Sequence, residues 1–288
     1  MHITNRAGRA LRTGASLGLA LLLPACASGV SAQASSQAST QASAQTTPNT
    51  LTAAEKASGW KLLFDGRTFN GWREYKADTM PVIWSVVDGA MVKGNPSRAL
   101  PGRDIVSREL FGNFEFAFDW KLSEAGNAGV FYRATEEYDK VYWSAPEYQL
   151  LDNVKGADNK TPFTRAGAAY QIKPAPDGHD KLAVWAMPRD SATNRSRALT
   201  TDDVRQFLNA GEWNQSRIVV KGDHVEHWLN GFKLVEYDLS GAEWDGIIKA
   251  SKFTPYPNFG KAKRGFFAFQ GDHGGLLALR NVKVRELK

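Results

Sequence analysis

The sequence has a single cysteine, Cys26, which lies close to the N-terminus. The chain after it cannot form an internal disulfide, so its stability must come from a buried core. The chain also lacks an apolar run long enough to form a membrane-spanning helix. Its formal net charge is +6, of which Arg6, Arg9 and Arg12 supply three, and no basic block follows them. We therefore expect no nucleic-acid partner.

The N-terminal residues have the pattern of an export signal. The three arginines precede an apolar stretch from Leu17 to Leu23, and this order predicts a signal peptide over residues 1–32. Leu23-Pro24-Ala25-Cys26 resembles a bacterial lipobox, in which Cys26 is the lipidated residue and the lipid is the only expected membrane contact. The alternative is cleavage after Val30-Ser31-Ala32, which removes Cys26 and leaves a soluble secreted protein.

A low-complexity segment separates this leader from the rest of the chain. Residues 33–50 read QASSQASTQASAQTTPNT, with no charge and no large apolar side chain, which predicts a disordered tether. Residues 51–288 have the length of a single all-β domain. The spacing of Thr52 and Glu55 is that of a capping box, and Gly59 follows as a stop, so a short helix is predicted to open the domain.

Short strands dominate the remaining pattern. Asp88-Gly89 and Asn230-Gly231 each separate two apolar runs, Val82 to Val87 from Ala90 to Val92 and Val225 to Leu229 from Phe232 to Tyr237, and both dipeptides favour hairpin turns. Further strands are predicted at Phe114–Lys121, Gly129–Arg133, Glu147–Leu151, Ala168–Ile172, Ser216–Lys221, Phe266–Gln270 and Leu276–Glu286. Short helices are predicted near Asp202–Leu208 and Trp244–Ser251. Many short strands without a fixed repeat predict a sandwich of two antiparallel sheets.

Two of these strands carry polar side chains where a core strand would be apolar. Strand side chains alternate, so Glu147 and Gln149 share one face while Tyr148 and Leu150 share the other. Upstream, the segment from Gly126 to Arg133 contributes Asn127 and Arg133 around a short apolar run. Polar groups on neighbouring strands predict a sugar-binding cleft on a sheet, although a solvated sheet face is the simpler alternative.

An ordered series of motifs resembles the 3-keto-disaccharide (3-keto-glycoside) hydrolase family. The matching stretches are Leu63–Gly66 with Gly71-Trp72, Gly126–Arg133, Glu147–Asp152, Gly211–Asn214, Asn230-Gly231, Gln270–Gly274 and Arg280–Arg285. The resemblance implies a concanavalin-like jelly roll and a glycoside hydrolase or lyase that acts on 3-keto-glycosides. It also implies a setting in bacterial envelope carbohydrate breakdown, hence a periplasmic or outer-membrane protein.

The acids of the Glu147–Asp152 motif fit ordinary glycoside hydrolysis poorly. A retaining glycosidase needs two carboxyl groups about 5–5.5 Å apart. In a regular strand Glu147 and Asp152 face opposite ways, so a bulge would be needed to bring both into one cleft. A 3-keto sugar changes the requirement, because its carbonyl acidifies the hydrogen on C2 and makes the C1 substituent a leaving group. One base, an enolate-stabilising group and an acid for the leaving oxygen then suffice.

Glu147 is the predicted base, with Asp152 and His273 as further catalytic candidates. Arg133, His273 or a divalent metal ion are the candidates for stabilising the enolate oxygen. His273 lies in a glycine-rich loop, where a freely exposed histidine is an equal alternative. A cation bound through Asp272 or Asp152 stays open, but no loop has calcium-motif spacing.

The predicted substrate-binding residues are mostly amides. They are Gln149, Asn127, Arg133, Trp143, Asn214 and Gln270, with Trp143 the best candidate for stacking on a sugar ring. His224 and His227 lie three apart, on opposite faces of a strand, which argues against a metal site there.

The expected partner is a small oxidised saccharide. A non-catalytic glycan-binding module and a conventional endo-glucanase are the alternatives, because the same fold supports both.

Overall fold

The computed structural model describes residues 47–175 and 210–288, and strands dominate both ranges. The strands are β1 Trp60–Leu62, β2 Trp72–Glu74, β3 Trp84–Val87, β4 Ala90–Lys93, β5 Ile105–Ser107, β6 Phe114–Leu122, β7 Asn127–Ala134, β8 Glu147–Leu151, β9 Asn214–Lys221, β10 His224–Leu229, β11 Phe232–Asp238, β12 Phe266–Phe269 and β13 Leu277–Glu286. The helices are α1 Ala53–Ala57 and α2 Gly241–Lys249, with 3-10 turns at Val141–Trp143 and Pro162–Thr164. Neither described helix is long and apolar enough to cross a membrane.

The strands of the described residues form two antiparallel sheets. The larger has eight strands in the order β11-β10-β9-β6-β13-β4-β3, with β1 also paired to β13. The smaller has five strands in the order β2-β5-β12-β7-β8. Strands far apart in sequence are neighbours in both sheets, as in a jelly roll. The predicted all-β, concanavalin-like sandwich is therefore confirmed.

Local sequence signals account for several elements. Asp88-Gly89 joins β3 to β4 and Asn230-Gly231 joins β10 to β11, and all four residues have positive φ, as hairpin turns require. Thr52 Oγ1 accepts the Glu55 N–H at 3.1 Å, and Glu55 Oε2 accepts the Thr52 N–H at 2.8 Å, so the capping box is confirmed.

The helix predicted at Trp244–Ser251 is confirmed as α2, with slightly different ends. The helix predicted at Asp202–Leu208, the signal peptide and most of the tether lie outside the described residues.

The strand predicted at Ala168–Ile172 is wrong. Gly167 and Gln171 both have positive φ, which interrupts an extended chain, and Ala169 makes only isolated bridges to Tyr148 and Lys173. Three strands of three residues, β1, β2 and β5, were not predicted, because so short a run has no readable alternation.

The domain includes residues that precede Leu51. The Asn49 side chain accepts the Asn281 N–H at 2.8 Å and donates to the Gly89 carbonyl at 2.8 Å, while its backbone N–H donates to Asn281 Oδ1 at 2.6 Å. The ordered part of the chain therefore begins at least two residues before the predicted boundary.

The main core lies between the two sheets and is rich in aromatic rings. Phe116 of the larger sheet stacks on Phe267 of the smaller one, with ring centroids 3.9 Å apart. A second, smaller cluster lies on the outer face of the five-stranded sheet and contains Val106, Phe131 and Ala268. The polar residues of β8 are on that outer face.

Candidate active site

The alternation predicted for β8 is present. Tyr148 and Leu150 belong to the core between the sheets, whereas Glu147 and Gln149 lie on the outer face of the five-stranded sheet. Gln149 pairs with Gly129 on the neighbouring strand β7, and Glu147 pairs with Phe131. Both polar side chains are buried, Glu147 at 8% exposure and Gln149 at 1%. A solvated sheet face therefore does not describe them.

The Glu147 carboxylate lies directly over Gly129. A β-carbon on residue 129 would be only 2.0 Å from Glu147 Oε1, so this arrangement requires glycine there. Among the described residues, no hydrogen-bond donor meets the carboxylate. Burial raises the pKa of Glu147 to about 8; Lys252 opposes that rise, while Asp272 and Asp104 add to it. Glu147 is thus a proton-exchanging group near neutral pH.

Buried amides surround this carboxyl group. Gln149 Nε2 donates to Asn127 Oδ1 at 3.2 Å, which leaves Gln149 Oε1 buried without a partner among the described residues. Gln270 Oε1 is also buried without a partner among the described residues. The backbone N–H of Gln270 donates to the Gly129 carbonyl at 2.9 Å, so Gln270 is next to Gly129. An unpaired buried carbonyl oxygen is costly. The outer face therefore encloses two unpaired acceptor oxygens, of the kind to which sugar hydroxyl groups donate.

Lys252 is the cation whose charge lowers the pKa of Glu147, and no sequence motif pointed to it. Its ammonium group lies 4.6 Å from the Tyr170 ring centroid and 5.4 Å from that of Phe253. Tyr170 in turn donates its N–H to the Glu147 carbonyl at 3.0 Å. Burial lowers the pKa of Lys252, and attraction to Glu147 and Asp158 opposes that change. No carboxylate of the described residues lies within ion-pair distance of it.

A second buried carboxyl group, Asp104, was also missed by the sequence analysis. Asp104 is 8% exposed and accepts the Gly271 N–H at 2.8 Å. Burial and the neighbouring Asp272 raise its pKa to about 7. Lys93 is fully buried behind this pair, where burial lowers its pKa to about 8, and it donates to the His273 carbonyl at 2.6 Å.

His273 contacts Lys93 through its backbone carbonyl rather than through its ring. Its side chain is 44% exposed, and its Nδ1 lies 3.4 Å from Asp272 Oδ1 without hydrogen-bond geometry. The prediction that His273 is catalytic stays a prediction, and its exposure matches the alternative of a free loop histidine.

Trp143 lies at the rim of the same face. Its ring stacks on Tyr256 with centroids 4.9 Å apart and meets Tyr142 edge-on at 5.6 Å. Burial, then Asp272 and Asp104, raises the pKa of Tyr142. Trp143 is half-buried, and its role in stacking on a sugar ring stays a prediction.

Arg133 is not brought to Glu147. It has φ 55°, and its guanidinium donates to the Gly112 carbonyl at 2.9 Å and the Gly222 carbonyl at 2.8 Å. These bonds tie the smaller sheet to loops of the larger one, whereas Nη1 of Arg133 is buried without a partner among the described residues.

Asp152 and Asn214 are likewise held by other partners. The Asp152 carboxylate accepts the N–H groups of Ala125, Val154 and Lys155; burial raises its pKa, but these three donors outweigh burial and the pKa falls below its ordinary value. Asn214, on the larger sheet, accepts from Asn230 Nδ2 at 3.0 Å. The structure therefore brings together Glu147, Gln149, Asn127 and Gln270, with Trp143 in the 3-10 turn that precedes β8, but not Arg133, Asp152 or Asn214.

His224 and His227 lie on opposite faces of β10, as predicted. His227 is fully buried, bonded to Tyr132 and the Gly167 carbonyl, and burial lowers its pKa to about 4. His224 and two nearby acids, Glu226 and Glu236, form the one group in the described residues close enough to share a metal ion. Lys233 bonds both acids, so this surface group has the contacts of an ion-pair network.

Comparison with known proteins matches this chain to carbohydrate-acting proteins. The family described as the 3-keto-alpha-glucoside-1,2-lyase-like domain matches residues 59–285. A 3-keto-disaccharide hydrolase of Bacteroides thetaiotaomicron is 31% identical over 258 residues, covering 80% of this chain and 79% of that protein.

Two crystal structures of candidate glycosyl hydrolases from Parabacteroides distasonis are also similar. The first is 28% identical with a TM-score of 0.67, covering 84% of this chain and 100% of that one. The second is 23% identical with a TM-score of 0.54, covering 79% and 99%, and supports the fold alone. The chain is therefore a carbohydrate-acting hydrolase, and it belongs to the 3-keto-alpha-glucoside-1,2-lyase-like family.

Proposed function

We propose that the protein cleaves 3-keto-glycosides by removing the C2 proton, expelling the C1 substituent and adding water to the product. The observation that carries this proposal is the Glu147 carboxyl group, buried over Gly129 and without a hydrogen-bond donor among the described residues. A carboxyl group with a pKa of about 8 can take a proton and return it near neutral pH. That is the work of a base in elimination followed by hydration.

The substrate carbonyl makes this single base sufficient. When Glu147 takes the C2 proton, the C–H electrons form an enolate whose negative charge rests on the C3 oxygen. The Lys252 ammonium group, coupled to Glu147 and unpaired with any described carboxylate, supports a role as donor to that oxygen. This assignment replaces Arg133, whose Nε and Nη2 donate to the Gly112 and Gly222 carbonyls, and His273, whose ring is exposed.

The buried amides suit the sugar ring. Gln149 Oε1 and Gln270 Oε1 each lack a partner, and a sugar hydroxyl group donates to such an oxygen. Asn127, already bonded to Gln149, would fix the orientation of that amide. A ligand whose hydroxyl groups reach these enclosed oxygens would relieve two unpaired acceptors, which favours a polyhydroxylated ligand over an apolar one.

A direct comparison of substrates tests the proposal. The protein is incubated with a 3-keto-disaccharide and, separately, with the unoxidised parent disaccharide, and the products are followed by NMR. We expect cleavage of the oxidised sugar alone. Cleavage of the parent would favour a conventional glucanase, and binding without cleavage of either would favour a glycan-binding module.

A further inference from the structure

Asp104 is a buried carboxyl group on the same outer face as Glu147, and the proposed base chemistry does not use it. One of its oxygens accepts the Gly271 N–H at 2.8 Å. The other has no hydrogen-bond partner among the described residues and is not fully enclosed. Asp104 can therefore present one oxygen to a bound molecule.

The sheet register places Asp104 across the face from Glu147. Phe269 of β12 pairs with Ile105 of β5 on one side and with Val130 of β7 on the other. The residues one step along, Asp104, Gln270 and Gly129, therefore form a row across three strands. Neighbouring strands are ~4.8 Å apart, so the Asp104 backbone is roughly 10 Å from Gly129, over which the Glu147 carboxylate lies. Gln270 lies between them in this row.

An open pocket begins at Asp104 on the side away from Glu147. It has a volume of about 250 Å³, and Tyr75, Arg103, Lys140 and Asp272 are among its lining residues. Because β2 and β5 lie beyond β12 in the sheet order, this pocket and Glu147 are at opposite ends of the face. Asp104 is at the junction between them.

We propose that Asp104 is the acid that protonates the departing oxygen, and that the pocket beyond it holds the aglycone. This inference rests on the proposed function. A ligand that spans the junction would place its C2 atom near Glu147 and its glycosidic oxygen near Asp104. In this arrangement Glu147 acts on C2 and Asp104 acts on the glycosidic oxygen of the same substrate.

The two steps balance. Glu147 takes the C2 proton to give the enolate; when the carbonyl re-forms, a C1=C2 double bond appears, the C1–O bond breaks, and the leaving oxygen takes the Asp104 proton. In hydration, water adds its oxygen to C1 while Asp104 regains a proton from it, and protonated Glu147 returns a proton to C2. Both groups end as they began, and the net reaction consumes one water molecule.

The surroundings of Asp104 suit an acid at neutral pH. Burial and Asp272 raise its pKa to about 7, against the opposing effects of the Gly271 N–H, Lys140 and Lys93. A substantial fraction of the group therefore carries a proton when the enzyme binds its substrate. Lys140 and Lys93 lower the pKa of Asp104, and so they favour release of that proton.

The dependence on the leaving group tests this role. The Asp104→Asn variant is assayed with a 3-keto-disaccharide, whose alkoxide needs a proton to leave, and with a 4-nitrophenyl 3-keto-glucoside, whose phenolate does not. We expect kcat to fall roughly 10²–10⁴-fold on the disaccharide and less than about 5-fold on the nitrophenyl substrate. Asp245→Asn, an exposed acid on α2, is the matched control and should change neither rate.

Equal losses on both substrates would show that Asp104 has only a structural role, and an unchanged disaccharide rate would also overturn the proposal. If the variant does not fold, the wild-type protein gives the same answer: the disaccharide rate should fall at alkaline pH as the acid loses its proton, while the nitrophenyl rate should not. A wild-type protein that cleaves neither oxidised substrate would instead refute the proposed function.

Discussion

The Glu147 carboxylate occupies the space over the α-carbon of Gly129, where a β-carbon would come within 2.0 Å of Oε1. Glycine at position 129 is therefore part of the site, because it allows the acid of one strand to lie over its neighbour. Burial of this carboxyl group raises its pKa.

We expect Gly129→Ala to displace Glu147 and lower kcat by at least roughly 10²-fold, comparable to losing a positioned base. The substitution is on a strand, so the fold should survive, with a cost of about 1–3 kcal/mol from crowding. Steady-state kinetics and a thermal melt check both statements. Gly246→Ala, on helix α2 with no atom within 4 Å of the added carbon, is the control and should leave kcat unchanged.

The Glu147→Gln variant should be more stable than the wild type at alkaline pH. The folded-state pKa of about 8 lies above the ordinary value of 4.5, so the native protein holds a proton that the unfolded chain releases. This proton makes the wild type lose stability as pH rises between those two values. We expect the two proteins to have similar free energies of unfolding at pH 4.5. At pH 8.5 the free energy of unfolding of the variant should be higher by ~2–4 kcal/mol. A constant difference across that range would contradict the raised pKa.

Lys252→Met should lower kcat by roughly 10²–10³-fold, as does the loss of one donor to a developing oxyanion. Lys252 also favours the ionised form of Glu147, against Asp272, Asp104 and Asp158, so its removal should move the activity profile to higher pH. A purely structural role would not shift that profile.

The matched control for this experiment is Lys249→Met. Lys249 is exposed in the last turn of α2, three residues before Lys252. It should affect neither kcat nor the pH profile. An equal response from both lysines would indicate a general charge effect rather than donation to the enolate oxygen.

Asn49→Ala should destabilise the domain by about 1–3 kcal/mol, because it removes two side-chain hydrogen bonds and leaves alanine at a positive φ. A chain that begins at Leu51 should melt below one that begins at Thr47 for the same reason. Thermal denaturation measures both, with the exposed Asn70→Ala as control. Identical melting of the two chains would show that Asn49 contributes nothing.

Lipid anchoring at Cys26 is proposed from Leu23-Pro24-Ala25-Cys26 and the uncharged segment that follows. Cys26→Ser should then shift the protein from the membrane fraction to the soluble fraction of its cells. A wild-type protein that is already soluble and begins at Gln33 would support cleavage after Ala32 instead.

The sequence predicts those elements that depend on side-chain alternation along a strand and on turn-forming dipeptides. The two hairpins and the β8 face of Glu147 and Gln149 follow from alternation and from dipeptides that tolerate positive φ. Asp104 and Lys252 have no such signal. Asp104 precedes a strand of three residues, Lys252 follows a helix, and only tertiary pairing brings either of them to Glu147.

Two polar residues that were predicted to belong to the site, Asp152 and Arg133, also show what local sequence patterns cannot predict. Asp152 and Arg133 have the residue types of a sugar site, but a turn and a bulged strand direct them to backbone partners. Strand alternation could not predict this, because Asp152 lies beyond the end of β8 and Arg133 has a positive φ.

Exchange of the C2 hydrogen is the most direct test of Glu147 as the base. The protein is incubated in D₂O with the 3-keto monosaccharide that cleavage would release, and incorporation of deuterium at C2 is followed by NMR. We expect rapid exchange with the wild-type protein and a rate reduced roughly 10²–10⁴-fold by Glu147→Gln. Exchange at the wild-type rate in the Glu147→Gln protein would contradict the central claim.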